Sequence, residues 1–252
     1  MLLTPLEQFQ IISLFSLKLF CLDFSITNMF LVNIISMSFF FYLLFLLSSN
    51  DNSFFIIPNN WQLLIELLYD TISQMLYDNI NEKGEKYFPF ISVMFCFILL
   101  LNLIGLIPYS FTTTSHIIIT LSLSFTIFIG VNIICIRTYK MEMLSLFIPS
   151  NTSFLLALLL VPIEFLSYIF KPISLGVRLF ANLMAGHTLL KVIVGFSWSM
   201  LMIDDLLLSS MHIVPLFILV LLMGLELGVA IVQAYVFITL TCIYLNDSVN
   251  LH

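Results

Sequence analysis

Between His116 and Arg137 the chain carries no charged side chain, and this uninterrupted apolar run constrains the fold more than any other feature. A helix rises ~1.5 Å per residue, so about 20 such residues cross a ~30 Å hydrocarbon core. Three stretches have that length, residues 29–47, 88–108 and 115–136, and each is expected to be a transmembrane helix. Composition agrees: 61% of the 252 residues are apolar and 9% are charged. Water-soluble chains carry roughly a quarter charged residues, so most of this surface faces lipid. The lipid bilayer is the first partner. The net charge of −6 and the lack of a basic patch exclude nucleic acid.

Two further apolar regions, 153–203 and 206–246, are too long for simple crossings. Forty helical residues reach ~60 Å, about twice the core thickness, so each region is a hairpin or a steeply tilted helix. Residues 216–245 hold no proline, turn dipeptide or charged pair, and a loop there would expose backbone groups to lipid. Long, tilted helices are therefore expected, with Pro162 and Pro172 bending the first and Trp198 to Asp205 connecting the two. Residues 61–80 repeat apolar side chains at near-helical spacing opposite Glu66, Asp70, Gln74 and Asp78. They read as an interfacial amphipathic helix or a solvated linker helix, followed by a turn-rich exit at 81–86. The whole is an all-α, single integral membrane domain over 1–252, with about five spans and one interfacial helix.

Lysines and arginines concentrate on one side, in 48–87 and 137–150, which places the N-terminus outside and the C-terminus inside. The first twenty residues lack the pattern of a cleaved signal. The four cysteines are far apart, without ligand spacing, and three lie in apolar runs as core or lipid-facing residues.

Ionisable groups inside a membrane are costly and mark ion routes or paired structural sites. Glu164, Lys171 and Arg178 are seven residues apart, hence within about 20° of one another per step on one helical stripe. Asn182 lies near that face, whereas His187 falls about 180° from Arg178. On the last helix Glu226 and Gln233 share a stripe, flanked by Gly224, Gly228, Ala230 and Ala234, and Gly176, Ala181, Ala185 and Gly186 offer similar small residues on the preceding one. Small residues allow close helix approach. Arg178 stays protonated, so it cannot relay protons but can hold a partner carboxylate ionised. His187 and Glu226 are either a buried pair sharing a proton or satisfied core residues. Asn182 and Gln233 are polar partners of a route or amides holding helices together. His116 and His212 sit at span ends, where interfacial solvation explains them.

The segments SLGVRLFANLMAGHTLL at 174–190 and ELGVAIVQAYVFITLTCIYLNDSVNLH at 226–252 resemble subunit a of the rotary ATP synthases. TPLEQF at 4–9, NLIGLIPYSF at 102–111 and PIEFLSYIFKPISL at 162–175 extend the likeness over nearly the whole chain, weakest across 10–60. The resemblance implies a non-catalytic, proton-conducting subunit working against a ring of c subunits. It makes Arg178 the essential arginine, Asn182 and Gln233 its polar neighbours, His187 and Glu226 a coupled pair in one proton half-channel, and Glu164 an acid near the other. Lys171 receives no role beyond snorkelling toward the interface. The histidine-first order looks mitochondrial, which implies an inner-membrane, multi-pass location, with the bacterial plasma membrane as the alternative. Implied partners are the c-ring, peripheral-stalk and other membrane-sector subunits, within a dimeric synthase; no cofactor or metal is expected. A self-contained transporter is disfavoured by the lack of an internal repeat, and an electron carrier by the lack of paired intramembrane histidines. No nucleotide-binding GxxxxGK loop occurs.

Overall fold

A computed structural model describes residues 7–16, 18–19, 22–49, 60–107, 110–140, 154–202 and 210–249. Six helices dominate: α1 Asn28–Ser49, α2 Asn60–Ile80, α3 Phe88–Gly105, α4 Ile117–Tyr139, α5 Phe154–Leu201 and α6 Ile213–Val249. Four apolar segments, Gly84–Gly105, Ile117–Tyr139, Leu158–Leu201 and Ile213–Val249, are long enough to cross a membrane. In α1 the shorter apolar stretch Asn28–Tyr42 accompanies them.

The two long regions are single helices of 48 and 37 residues, not hairpins. Pro162 and Pro172 lie inside α5 without ending it, and the helix runs past Trp198 to Leu201. The rest of the expected connection, 203–205, lies outside the described residues, as do 141–150, Cys21, Pro108, Tyr109, residues 4–6 and 250–252.

Before α1 the chain forms two short antiparallel ladders that hydropathy does not reveal. Strand β1 Ser13–Phe15 pairs with β4 Ile26–Thr27, and β2 Lys18–Leu19 pairs with β3 Leu22–Asp23. They lead into a capped helix start. The Thr27 hydroxyl accepts from the Phe30 amide at 3.4 Å, and the Asn28 side chain holds Gln10 and Ile12 at 3.1 and 3.3 Å.

The chain divides into two compact units, to which α1, α3, α5 and α6 each contribute parts. One draws on Met1–Leu46, Cys96–His116 and Leu179–Ala234; its buried side chains include Ile98, Leu101, Leu183, Ala230 and Ala234. The other draws on Leu47–Phe95, Ile117–Arg178 and Tyr235–His252, burying Ile91, Ile127, Val131, Leu175, Phe237, Cys242 and Leu245. Burial follows narrow helical stripes. Outside them large apolar residues are exposed, among them Ile118 at 79% and Phe217 at 65%. Such surface is stable only against lipid or other chains.

Within the second unit α4 and α5 meet closely. A Cβ on Gly176 would stand 2.8 Å from Ser124 Oγ and 2.9 Å from the Thr120 carbonyl oxygen, so only glycine lets the helices approach there. In the same unit α2 is amphipathic as expected: Ile72, Met75, Leu76 and Ile80 are buried, while Glu66, Asp70, Gln74 and Asp78 are exposed. Its exit is a 3-10 turn, Asn81–Tyr87, that passes directly into α3. The apolar face of α2 is thus covered by protein along its C-terminal half, while Leu64 and Leu67 nearer its start are exposed.

Candidate functional site

In the first unit, α5 and α6 bring four of the sequence-selected residues together. Asn182 Nδ2 donates to Gln233 Oε1 at 2.8 Å, with Gln233 only 6% exposed. One turn before Gln233, the Ala230 carbonyl accepts from the fully buried Asn102 Nδ2 at 3.3 Å. These bonds fasten α6 to both α5 and α3. Glu226 lies against Gly186, where a Cβ would fall 2.6 Å from its Oε1, so the glycine leaves the volume that the carboxylate occupies. A Cβ on Gly105 of α3 would stand 2.9 Å from Thr112 Cγ2 and 4.0 Å from His187 Nε2.

A cavity of about 270 Å³ opens here, lined by Asn182, Gly186, His187, Glu226 and apolar residues such as Leu106 and Leu222. His187 Nε2 and both carboxylate oxygens of Glu226 are buried without a hydrogen-bond partner among the described residues. The expected pair therefore shares one cavity without a direct hydrogen bond. Buried polar atoms are nearly always satisfied, so a cavity lined by three unpaired ones suits water and mobile protons.

The second unit holds another polar cavity, about 240 Å³, lined by Glu164, Ser167, Tyr168, Lys171, Tyr244 and Asp247 among others. Lys171 does not simply snorkel. Its ammonium lies 3.2 Å from Asp247 Oδ2, and 5.6 and 5.1 Å from the ring centres of Tyr168 and Tyr244. Two aromatic faces and a carboxylate thus hold the cation. The Tyr168 hydroxyl donates to Asn132 Oδ1, and its ring packs on Phe128 at 4.9 Å. Asp247 is the residue that sequence reasoning missed. The signal was available: Glu226, Gln233 and Asp247 are separated by 7 and 14 residues, so Asp247 continues their stripe.

Arg178, also in the second unit, is exposed and makes no hydrogen bond or ion pair among the described residues. On α6, Gly224 and Gly228 are exposed too, with nothing within 4 Å of where a Cβ would sit. Ala230 and Ala234, by contrast, are 1% and 0% exposed. The small residues grouped by sequence therefore separate into a packed pair and an open pair.

Helices with apolar outer surfaces and ionisable side chains lining two polar cavities define a multi-pass helical membrane protein. The family model for the ATP synthase A chain matches residues 29–246. ATP synthase subunit a of Pylaiella littoralis is 53% identical over 249 residues, covering 99% of each chain. The Chondrus crispus protein of that name is 49% identical over 99% of this chain and 97% of its own, and the Marchantia polymorpha one 45% identical over 99% of both. The chain belongs to the ATP synthase A chain family. Membership makes it a proton-translocating subunit of the membrane sector of an F-type ATP synthase.

Proposed function

We propose that the chain is the stator side of a proton path, with two half-channels that open onto a rotating ring of c subunits. The observation that carries this is Arg178: a guanidinium exposed on a largely apolar helix, with no hydrogen bond and no ion pair among the described residues. A permanent charge in that setting is too costly to stand alone, so an acid of a neighbouring chain must meet it. The proton-carrying carboxylates of a c-ring have the required sign and must lose their protons in a low-dielectric setting. Arg178 compensates each one as it passes, and its fixed charge blocks direct leakage between the routes. The open glycines of α6, Gly224 and Gly228, allow a ring helix to come close.

Protons reach the ring through the cavity of His187 and Glu226, steadied by the Asn182–Gln233 bond. They leave through the cavity of Glu164 and Asp247 after nearly a full turn. Each charge crossing 100 mV releases ~2.3 kcal/mol, and several add up to drive ATP formation in another part of the complex. A helix of 48 residues is about 70 Å long, so in a ~30 Å core α5 lies obliquely and follows the ring's wall. The chain itself catalyses nothing. Its setting is the mitochondrial inner membrane, N-terminus outside, beside peripheral-stalk subunits in a dimeric synthase.

Arg178→Ala is the decisive variant. The complex assembles, but ATP-driven acidification of reconstituted vesicles is lost. Normal acidification by the variant would overturn the reading.

A further inference from the structure

The ladder that precedes α1 carries apolar side chains on its outside. Ile11, Ile12, Leu14, Phe15 and Phe24 are exposed, Phe15 at 68% and Phe24 at 59%. No charged residue occurs from Gln8 to Leu17. The strand also departs from simple alternation. Ser13 to Phe15 in β1 stands opposite the single step from Thr27 to Ile26 in β4, a bulge that leaves the consecutive residues Leu14 and Phe15 both exposed.

Asn28 fastens this strand to the start of α1. Its Nδ2 donates to the Gln10 carbonyl at 3.1 Å, its Oδ1 accepts from the Ile12 amide at 3.3 Å, and its own amide donates to the Ile12 carbonyl at 3.2 Å. Phe9, just ahead of the strand, is buried. The exposed residues of the ladder are therefore held beside those of the first turns of α1, Phe30, Leu31, Ile34 and Ile35, in the same unit. The apolar surface of the helix continues onto the ladder.

Two requirements meet at one depth. Large apolar side chains favour a setting away from water. Each ladder has only two strands, however, so its outer edges hold backbone groups with no strand to pair with among the described residues, and open edges are not tolerated in hydrocarbon. The boundary between headgroups and acyl chains supplies both needs, water for the backbone and apolar contact for the side chains.

We propose that the ladder rests in the headgroup boundary of the leaflet where α1 begins, as an interfacial anchor that Asn28 couples to the helix. Its occupant is lipid, because the exposed strip continues the surface of a helix that already faces lipid. The anchor fixes the depth at which α1 enters the bilayer, a task separate from the proton path.

The test uses the intact synthase in phosphatidylcholine vesicles whose lipid carries a diazirine either beside the glycerol or at the end of the acyl chain, with adducts mapped by mass spectrometry. The glycerol-level probe is expected to label residues 11–15 and 24 roughly fivefold more than the chain-end probe, because an interfacial element lies only about 5–10 Å deep. Phe39 and Phe41, exposed farther along α1, should show the opposite preference. If neither probe labels 11–15 while both label α1, the ladder is covered by another chain or stands in water, and the proposal fails. Labelling of the strand by the chain-end probe that equals or exceeds the glycerol-level probe refutes the interfacial depth. Asn28→Ala tests the fastening: residues 11–15 should lose their preference for the glycerol-level probe while Phe39 and Phe41 keep theirs. An unchanged preference would remove Asn28 from the anchor. Asn28→Asp, which keeps an oxygen for the Ile12 amide and loses the bond to Gln10, serves where the alanine variant assembles poorly.

Discussion

The two polar cavities are built by the same pair of long helices and are close in size, about 270 and 240 Å³, yet they treat charge in opposite ways. Around Glu226 and His187 the acid and the base are buried and unpaired. Around Glu164 and Asp247 a lysine is locked to a carboxylate at 3.2 Å and flanked by two tyrosine rings, with side chains 33% and 46% exposed. The contrast separates two uses of an intramembrane charge. An unpaired group can exchange a proton with each passing water, whereas a paired one organises the space around it and, in the function proposed above, leaves transfer to its neighbour Glu164.

The contrast can be broken most sharply by neutralising one acid in each cavity. Glu226→Gln should lower ATP-driven acidification by about 100-fold, the order expected for losing a positioned proton-transfer group, and Asp247→Asn by less than about tenfold. Equal losses would mean that both acids are relays. Next in size is the coupling of Lys171 to Asp247. A double-mutant cycle with Lys171→Met and Asp247→Asn, read as thermal stability of the complex, should give a coupling of about 1 kcal/mol or less, since both groups are partly exposed. A coupling of zero would dissolve the clamp. The smallest effect belongs to Asn182 and Gln233. Leucine at either position should cost roughly 0.6 kcal/mol of helix association, because interhelical hydrogen bonds in membranes are individually weak. Conduction should fall more than stability does, and the reverse would make the pair structural only.

Much of this was legible in the sequence because membrane physics leaves few choices. The charge-free run before Arg137 becomes α4, and the lack of turn residues in 216–245 becomes one unbroken helix. The stripe rule placed Glu226 and Gln233 on one side of α6, and they line or adjoin one cavity. What stayed hidden depends on which helix packs on which. Lys171 looked like an interfacial cation because its partner lies 76 residues away. Ala230 follows Gly228 by two residues, about 200° round the helix, so similarity of size said nothing about shared surroundings. His116 looked solvated because nothing local reveals that the turn before it is buried. The ladders at 13–27 depend on backbone pairing, which hydropathy does not encode.

The bare strip at Gly224 and Gly228 sets conformational fitness of the lone polypeptide against its use. Glycine inside a helix costs about 0.8–1 kcal/mol relative to alanine, and nothing within 4 Å of either position repays that inside the chain. A screen that rewards heat resistance of the separated subunit would therefore enrich alanine at both positions, and if the strip receives a ring helix as proposed, the hardiest clones would be those least able to seat a rotor.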